Sequence, residues 1–406
     1  MAASAPAPGG LRVRDPRLDF FRGVAMLIIF IAHVPDNLWN EYIPARFGWS
    51  DATEMFVFCS GFAAAIAFGG TFVKASFGYG TARIGYRVWQ IYAAHLGMFF
   101  FIAALVVVGT RLLGNDYVEQ LNLHWFIQNP MDGLIGLFTL SYVPNYFDIL
   151  PMYIGALVLV PVVMALSRIH PWAGLTFCAA LYTANWLYGW GVPAEPFSDR
   201  EWFFNPMAWQ LLFFTGFGLS MGWVSPPPIS RPLLWLAGGF VVLTIPAAHW
   251  GTAQNFDTLR ALREVIWVWQ DKTDFGLLRY LHFLALAYLA IALVKGREHL
   301  LLADWARPLI TVGRNSLPIF LLSMGLARIA GMVLDVIGRT PLTLMLVNLG
   351  GLSILIGFAY WCTFLKRQPW RRREAEHAAR TAAGQERRAV TAHSSASYPA
   401  GVAPAE

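Results

Sequence analysis

Arg22 and His33 stand at the two ends of an otherwise apolar run, and their types suggest a division of labour. The stretch 17–37 reads RLDFFRGVAMLIIFIAHVPDN, with no polar residue between the two. Eleven helical steps rotate by about 1100°, close to three full turns, so both side chains fall on nearly one face. Along the axis they lie about 16 Å apart. An imidazole can take a proton from a hydroxyl near neutral pH. A guanidinium forks onto phosphate or carboxylate oxygens. In lipid such groups are costly and tend to face a bundle interior or a wet cavity. The plain alternative is a first spanning helix with a basic anchor and an interfacial histidine.

The elements that must position these groups follow from composition. The chain has 406 residues, 57% hydrophobic and 13% charged, against about 25% charged in soluble domains. Its apolar runs are long and continuous, which specifies spanning helices rather than barrel strands. The net charge of +6 does not point to nucleic acid. The basic residues sit in short links and at the ends, the pattern of cytoplasmic loops beside a lipid bilayer. Cys59, Cys178 and Cys362 all lie inside apolar runs. They read as packing residues, so neither a disulfide framework nor a metal site is expected.

Hydropathy predicts an all-α membrane protein, a polytopic bundle of about ten transmembrane helices with both termini cytoplasmic. The spans fall near 18–35, 52–70, 88–110, 148–167, 171–189, 206–223, 233–250, 279–295, 309–334 and 342–364. The domain plan is a basic cytoplasmic leader at 1–16, a transmembrane domain at 17–366 and a basic tail at 367–406, with a short helix before a disordered end. The leader has no small-residue cleavage site, so the first helix is expected to stay attached. Residues 71–90 read as a basic connection. The stretch 130–142 is too short to span and suits a re-entrant or interfacial piece. In 251–278, Leu259, Leu262, Ile266 and Trp269 recur at helical spacing, as in an interfacial amphipathic helix. The second span opens Ser50-Asp51-Ala52-Thr53-Glu54, where Ser50 or Asp51 can cap the helix and carboxylates suit its positive end.

With this topology the polar residues sort by membrane face. Towards the outside lie His33, Asp36, Asn37, Asp51, Glu54, Asp148, Trp190, Arg279 and His282. This set, rich in imidazoles and carboxylates, suits general base work on a hydroxyl. Towards the inside lie Asp19, Arg22, Arg83, Arg87, Arg314, Asn315 and Ser316. Its arginines suit phosphate or carboxylate. His95 follows Arg87 by eight residues in the third span, on the same side of the helix. The plain alternative is a hydrogen-bonded packing residue. The two faces together fit a reaction across the membrane, with a phosphate-bearing donor inside and a polyhydroxyl acceptor outside. Trp39, Trp49, Trp190, Trp202, Trp250, Trp267 and Trp269 could stack on sugar rings, although an aromatic belt accounts for most of them.

Several stretches resemble the OpgC family of bacterial inner-membrane proteins. They are RLDFFRGVAMLIIFIAHVPDN followed by FGWSDATEMFVFCSGFAAAIAFG, RVWQIYAAHL at 87–96, DILPMYI at 148–154, FNPMAWQLLFFTGF at 204–217, RYLHFLALAYLA at 279–290 and GRNSLPIF at 313–320. The spacing of Arg22 and His33 is shared with a wider superfamily of integral membrane acyltransferases. The resemblance implies O-succinylation of osmoregulated periplasmic glucans, with cytoplasmic succinyl-CoA as acyl-CoA donor and no permanently bound cofactor. It implies that His33 is the essential residue, with Arg22 its partner. Asp51, Glu54 or Asp148 would orient His33, as a carboxylate does in a triad. Arg22, Arg87 and Arg314 would hold the donor's phosphates or the acyl carboxylate. His95, Arg279, His282 and Asn315 complete the expected substrate-binding set.

The expected function is therefore acyl transfer to a periplasmic glucan, with a glucan synthase as a candidate partner. Three rivals remain: an O-acetyltransferase for another envelope glycan, a sugar or lipid transporter without chemistry, and a structural partner of a glucan synthase. A transporter built on inverted repeats would carry internal symmetry, and none is evident.

Overall fold

A computed structural model describes residues 16–371 of the chain. Most of the leader and the tail beyond 371 lie outside the described residues, together with the short helix expected there. Among the described residues the fold is all-helical, and its one strand-like feature is an isolated bridge between Pro193 and Glu201.

Helix α1 spans Pro16–His33. After two tight turns, α2 runs from Ala52 and continues through a π turn at Ala65–Gly69 to Lys74. Helix α3, Phe77–Leu113, is 37 residues long. There follow α4 (Pro130–Thr139), α5 (Ile149–Leu166), α6 (Pro171–Tyr188), α7 (Pro206–Met221) and α8 (Arg231–Ala248). The last helices of the described residues are α9 (Asp257–Ile266), α10 (Leu277–Val294), α11 (Arg307–Arg314), α12 (Ser316–Ile337) and α13 (Pro341–Arg367).

Each of the ten expected spans coincides with helix, but among the described residues seven helices are long and apolar enough to cross a membrane by length and composition. They are α2 with its extension, α3, α5, α8, α10, α12 and α13. The other three have identifiable reasons. Helix α1 carries Arg17, Asp19 and Arg22. Helix α6 is diluted by Thr176, Thr183 and Asn185. Helix α7 is 16 residues long, yet it is largely apolar and buries Trp209, Phe213, Phe214 and Phe217 completely, the signature of a central helix.

Two boundaries differ from the sequence expectation. The basic connection at 71–90 is mostly helix, because α3 begins at Phe77, capped by the Ser76 hydroxyl. At about 55 Å α3 outreaches a bilayer core of about 30 Å. The ninth span is two helices, α11 and α12, broken at Asn315. Its amide donates to the carbonyls of Thr311 and Ala359 and to the Thr363 hydroxyl, tying the break to α13. The stretch 130–142 holds a ten-residue helix, α4, too short to span, as its length in the sequence requires.

The bundle closes around two backbone-to-backbone approaches. A methyl group on Gly313 would fall 1.8 Å from the Asp19 carbonyl oxygen, so α11 and α1 touch with no side chain between them. Gly61 of α2 meets the Phe213 carbonyl of α7 in the same way, also at 1.8 Å. Small residues let membrane helices pack on van der Waals contact where water supplies no drive. Gly313→Ala is therefore expected to cost about 3 kcal/mol, the upper range for overpacking, since a backbone cannot yield as a side chain can. Gly97 of α3 faces open space, and Gly97→Ala should leave thermal unfolding in detergent unchanged. Equal melting of the two variants would refute the close approach.

Candidate functional site

His33 ends α1, and the helix itself sets its orientation. Its Nδ1–H donates to the Ile29 carbonyl, 2.7 Å away and one turn back. That bond assigns the proton to Nδ1 in the neutral ring and leaves the Nε2 lone pair as the basic site. The next residues are pinned to α13. Asn37 and Asn348 exchange amide hydrogen bonds of 2.8 and 2.9 Å, both side chains buried. The His33 and Tyr146 rings meet edge to face, 5.6 Å between centroids.

His33 lines a cavity of about 840 Å³. On α1 the wall runs from Ile28 to His33, and Phe320 adds an apolar surface from α12. The polar wall includes Asp51, Thr53, Asn145, Asp148, Arg200 and Lys272. An apolar lining with a few convergent polar groups is the usual form of a small-molecule site.

Asp51 caps α2 through a reciprocal box. Its Oδ1 accepts from the Thr53 N–H at 2.7 Å, and Glu54 Oε2 accepts from the Asp51 N–H at 2.7 Å. The capping expected from the sequence is thus present, and the same two carboxylates also carry an ion-pair ladder. Lys272 Nζ lies 2.5 Å from Asp51 Oδ2. Arg279 lies 3.6 Å from Asp51 and 2.7 Å from Glu54 Oε1, to which its Nε also donates at 2.8 Å. Burial works against the Asp51 charge, but Lys272 and Arg279 outweigh it and hold the carboxyl below the usual carboxylate range. Glu54 is fully buried beneath the cavity and not in its wall. Asp148, at the start of α5, accepts from the Phe203 N–H at 2.9 Å.

None of these three carboxylates bonds His33, and its Nδ1 is taken by a carbonyl. The triad-like arrangement expected from the sequence is replaced by a backbone orienter. Any helical residue finds such a carbonyl four positions back. Asp51 and Asp148 nevertheless share the cavity with His33.

The remaining expected residues are dispersed. His282 is buried against Trp49 and Phe240, with Nδ1 2.7 Å from the Ser50 hydroxyl. His95 is buried on α3 beside Phe147. Neither is in the cavity wall. At the other end of α1, Arg22 donates to Ser316, and Arg314 donates to the buried Asp19 at 3.2 Å. Asn315 joins this cluster and accepts from Lys366 at 2.7 Å. Arg87 bonds Gln90 on its own helix and Arg83 bonds Thr71; no bond links either to Arg22 or Arg314.

Three residues at the site were missed by sequence reasoning: Lys272, Tyr146 and Arg328. Lys272 lies in the long loop before α10 and gives no local signal. Arg328 does give one, as a cation interrupting the apolar run of α12.

The family described as OpgC protein matches residues 14–367. The chain belongs to the OpgC family. No curated protein and no solved structure matches it. The OpgC match takes in every helix from α1 to α13 and the whole cavity wall. Within this OpgC-family chain the first motif is α1 itself, carrying Arg22 to the Ser316 cluster and His33 to the cavity.

Proposed function

We propose that this protein is an integral membrane O-acyltransferase of the bacterial inner membrane. It moves an acyl group, succinyl in our reading, from cytoplasmic acyl-CoA to a hydroxyl of a periplasmic glucan. The arrangement carrying this reading is His33 itself, locked at Nδ1, basic at Nε2 and set in the wall of a cavity large enough for a sugar and an acyl chain. All ten long helices cross the bilayer in this reading, with both termini cytoplasmic. The cluster of Arg22, Arg314 and Asn315 then faces the donor side, and the His33 cavity faces the acceptor side.

In direct transfer, Nε2 takes the proton of the acceptor hydroxyl as its oxygen adds to the thioester carbonyl. Succinyl is preferred to acetyl on the family alone, since Lys272 and Arg200 in the same wall are already paired with Asp51 and Glu195.

Mass spectrometry of periplasmic glycans from cells with and without the protein tests this. Succinyl esters on glucan should be present only with it. Acetyl esters instead would make it an acetyltransferase. Unmodified glycan in both strains would leave transport or a structural role beside a glucan synthase.

A further inference from the structure

Arg328 is 5% exposed, on a helix otherwise apolar in that turn. Among the described residues no carboxylate lies within ion-pair distance of it. Its guanidinium carbon sits instead 4.5 Å from the centre of the Tyr146 ring. A buried cation without a fixed counter-charge is unfavourable unless charge is supplied during function. Tyr146 is itself unusual. Its φ of +72° places a bulky residue in the left-handed region, a conformation that persists only where the surroundings enforce it and that clusters at functional sites. The same ring lines the cavity, is about half exposed and lies 5.6 Å from the His33 ring between centroids. Three independent features thus converge on one phenol beside the basic imidazole.

We propose that Tyr146 is a further catalytic residue, whose phenolic O–H donates to the oxyanion formed in acyl transfer, and that Arg328 is the positioning residue that polarises it. This inference rests on the acyltransferase reading above. His33 Nε2 takes the hydroxyl proton, and the acceptor oxygen bonds to the thioester carbon. The carbonyl π pair moves onto the carbonyl oxygen, where the Tyr146 O–H meets it. Collapse of that oxyanion breaks the C–S bond, and the leaving thiolate takes the proton held by His33. The Arg328 charge over the ring withdraws electron density from the phenol and strengthens its donation. It also holds the ring at a backbone conformation that tyrosine rarely adopts.

The test uses full-length protein in detergent with succinyl-CoA and a glucan oligosaccharide, following thiol release and the mass of the oligosaccharide. Removing one oxyanion donor typically lowers kcat by about 10²–10³-fold. Tyr146→Phe keeps the ring contacts and is expected to lose about 10²-fold in kcat, with KM for both substrates and thermal unfolding nearly unchanged. Arg328→Gln should show the same kcat loss, partly rescued in Arg328→Lys. A kcat for Tyr146→Phe within about twofold of wild type, or a loss explained by unfolding, overturns the proposal. Parallel assays separate the two claims. No transfer by wild type overturns the acyltransferase reading and this inference with it. Transfer lost in His33→Asn but kept in Tyr146→Phe overturns this inference alone.

Discussion

Replacing His33 by asparagine is expected to abolish acyl transfer while leaving the fold intact. Asparagine places an amide N–H close to the position of Nδ1, so the bond to the Ile29 carbonyl can persist. What it cannot supply is the Nε2 lone pair. A positioned general base contributes about 10²–10⁴-fold, and a sugar hydroxyl is far too weak an acid to react without one. The expected result is loss of at least about 10³-fold in acyl transfer, with unchanged detergent extraction and thermal melting. The pairing of Asn37 with Asn348 lies beyond the substituted ring and should hold the end of α1 in place. Retained acyl content on the glucan would remove His33 from the mechanism.

Removing Arg279 should have the largest effect on stability. Its guanidinium is the counter-charge of Glu54, which is fully buried, and it also approaches Asp51. Breaking one side of a buried pair strands the other charge and typically costs about 3–5 kcal/mol. Arg279→Met is expected to fall in that range, read as a large drop in melting temperature. The compensating change is Glu54→Gln. Glutamine removes the stranded charge, and its amide oxygen can still accept from the Asp51 N–H that Glu54 holds at 2.7 Å. The double variant Arg279→Met/Glu54→Gln should therefore recover most of the loss, since neutral replacements of buried pairs are often tolerated. A double variant as unstable as the single one would show that Arg279 acts by packing alone.

The two substitutions bear on different properties because the site has two layers. The upper layer, His33, Asp51, Asp148 and Lys272, faces the cavity. The lower layer, Glu54 with Arg279, lies behind Asp51 and fixes the start of α2 against α10. Asp51 belongs to both, as helix cap, as partner of Lys272 and as cavity wall.

Much of the helical layout was legible in the chain. Continuous apolar runs locate helices because lipid and a dry core impose the same demand, that every backbone group bond within its own segment. The capping of α2 was legible too, since Asp51 and Glu54 are three residues apart and a cap is a local bond. Family membership rested on ordered stretches of sequence and needed no coordinates. Local spacing also placed Arg22 and His33 on one face of one helix, at opposite ends.

Tertiary structure decided the partners. Asp51 meets Lys272 across 221 positions, Glu54 meets Arg279 across 225 and Asp19 meets Arg314 across 295. Such pairings depend on which helices lie side by side, and that is set by backbone contacts such as Gly313 on Asp19 and Gly61 on Phe213. The same packing left Arg87, His95 and His282 outside the cavity wall and brought in Tyr146 and Lys272, with Arg328 behind Tyr146. For His33 the sequence alone determined that a base stands at the end of an apolar helix. Only the folded chain decided that a carbonyl orients it and that a tyrosine, not a carboxylate, meets its ring, because a ring's neighbours are chosen by packing and not by sequence distance.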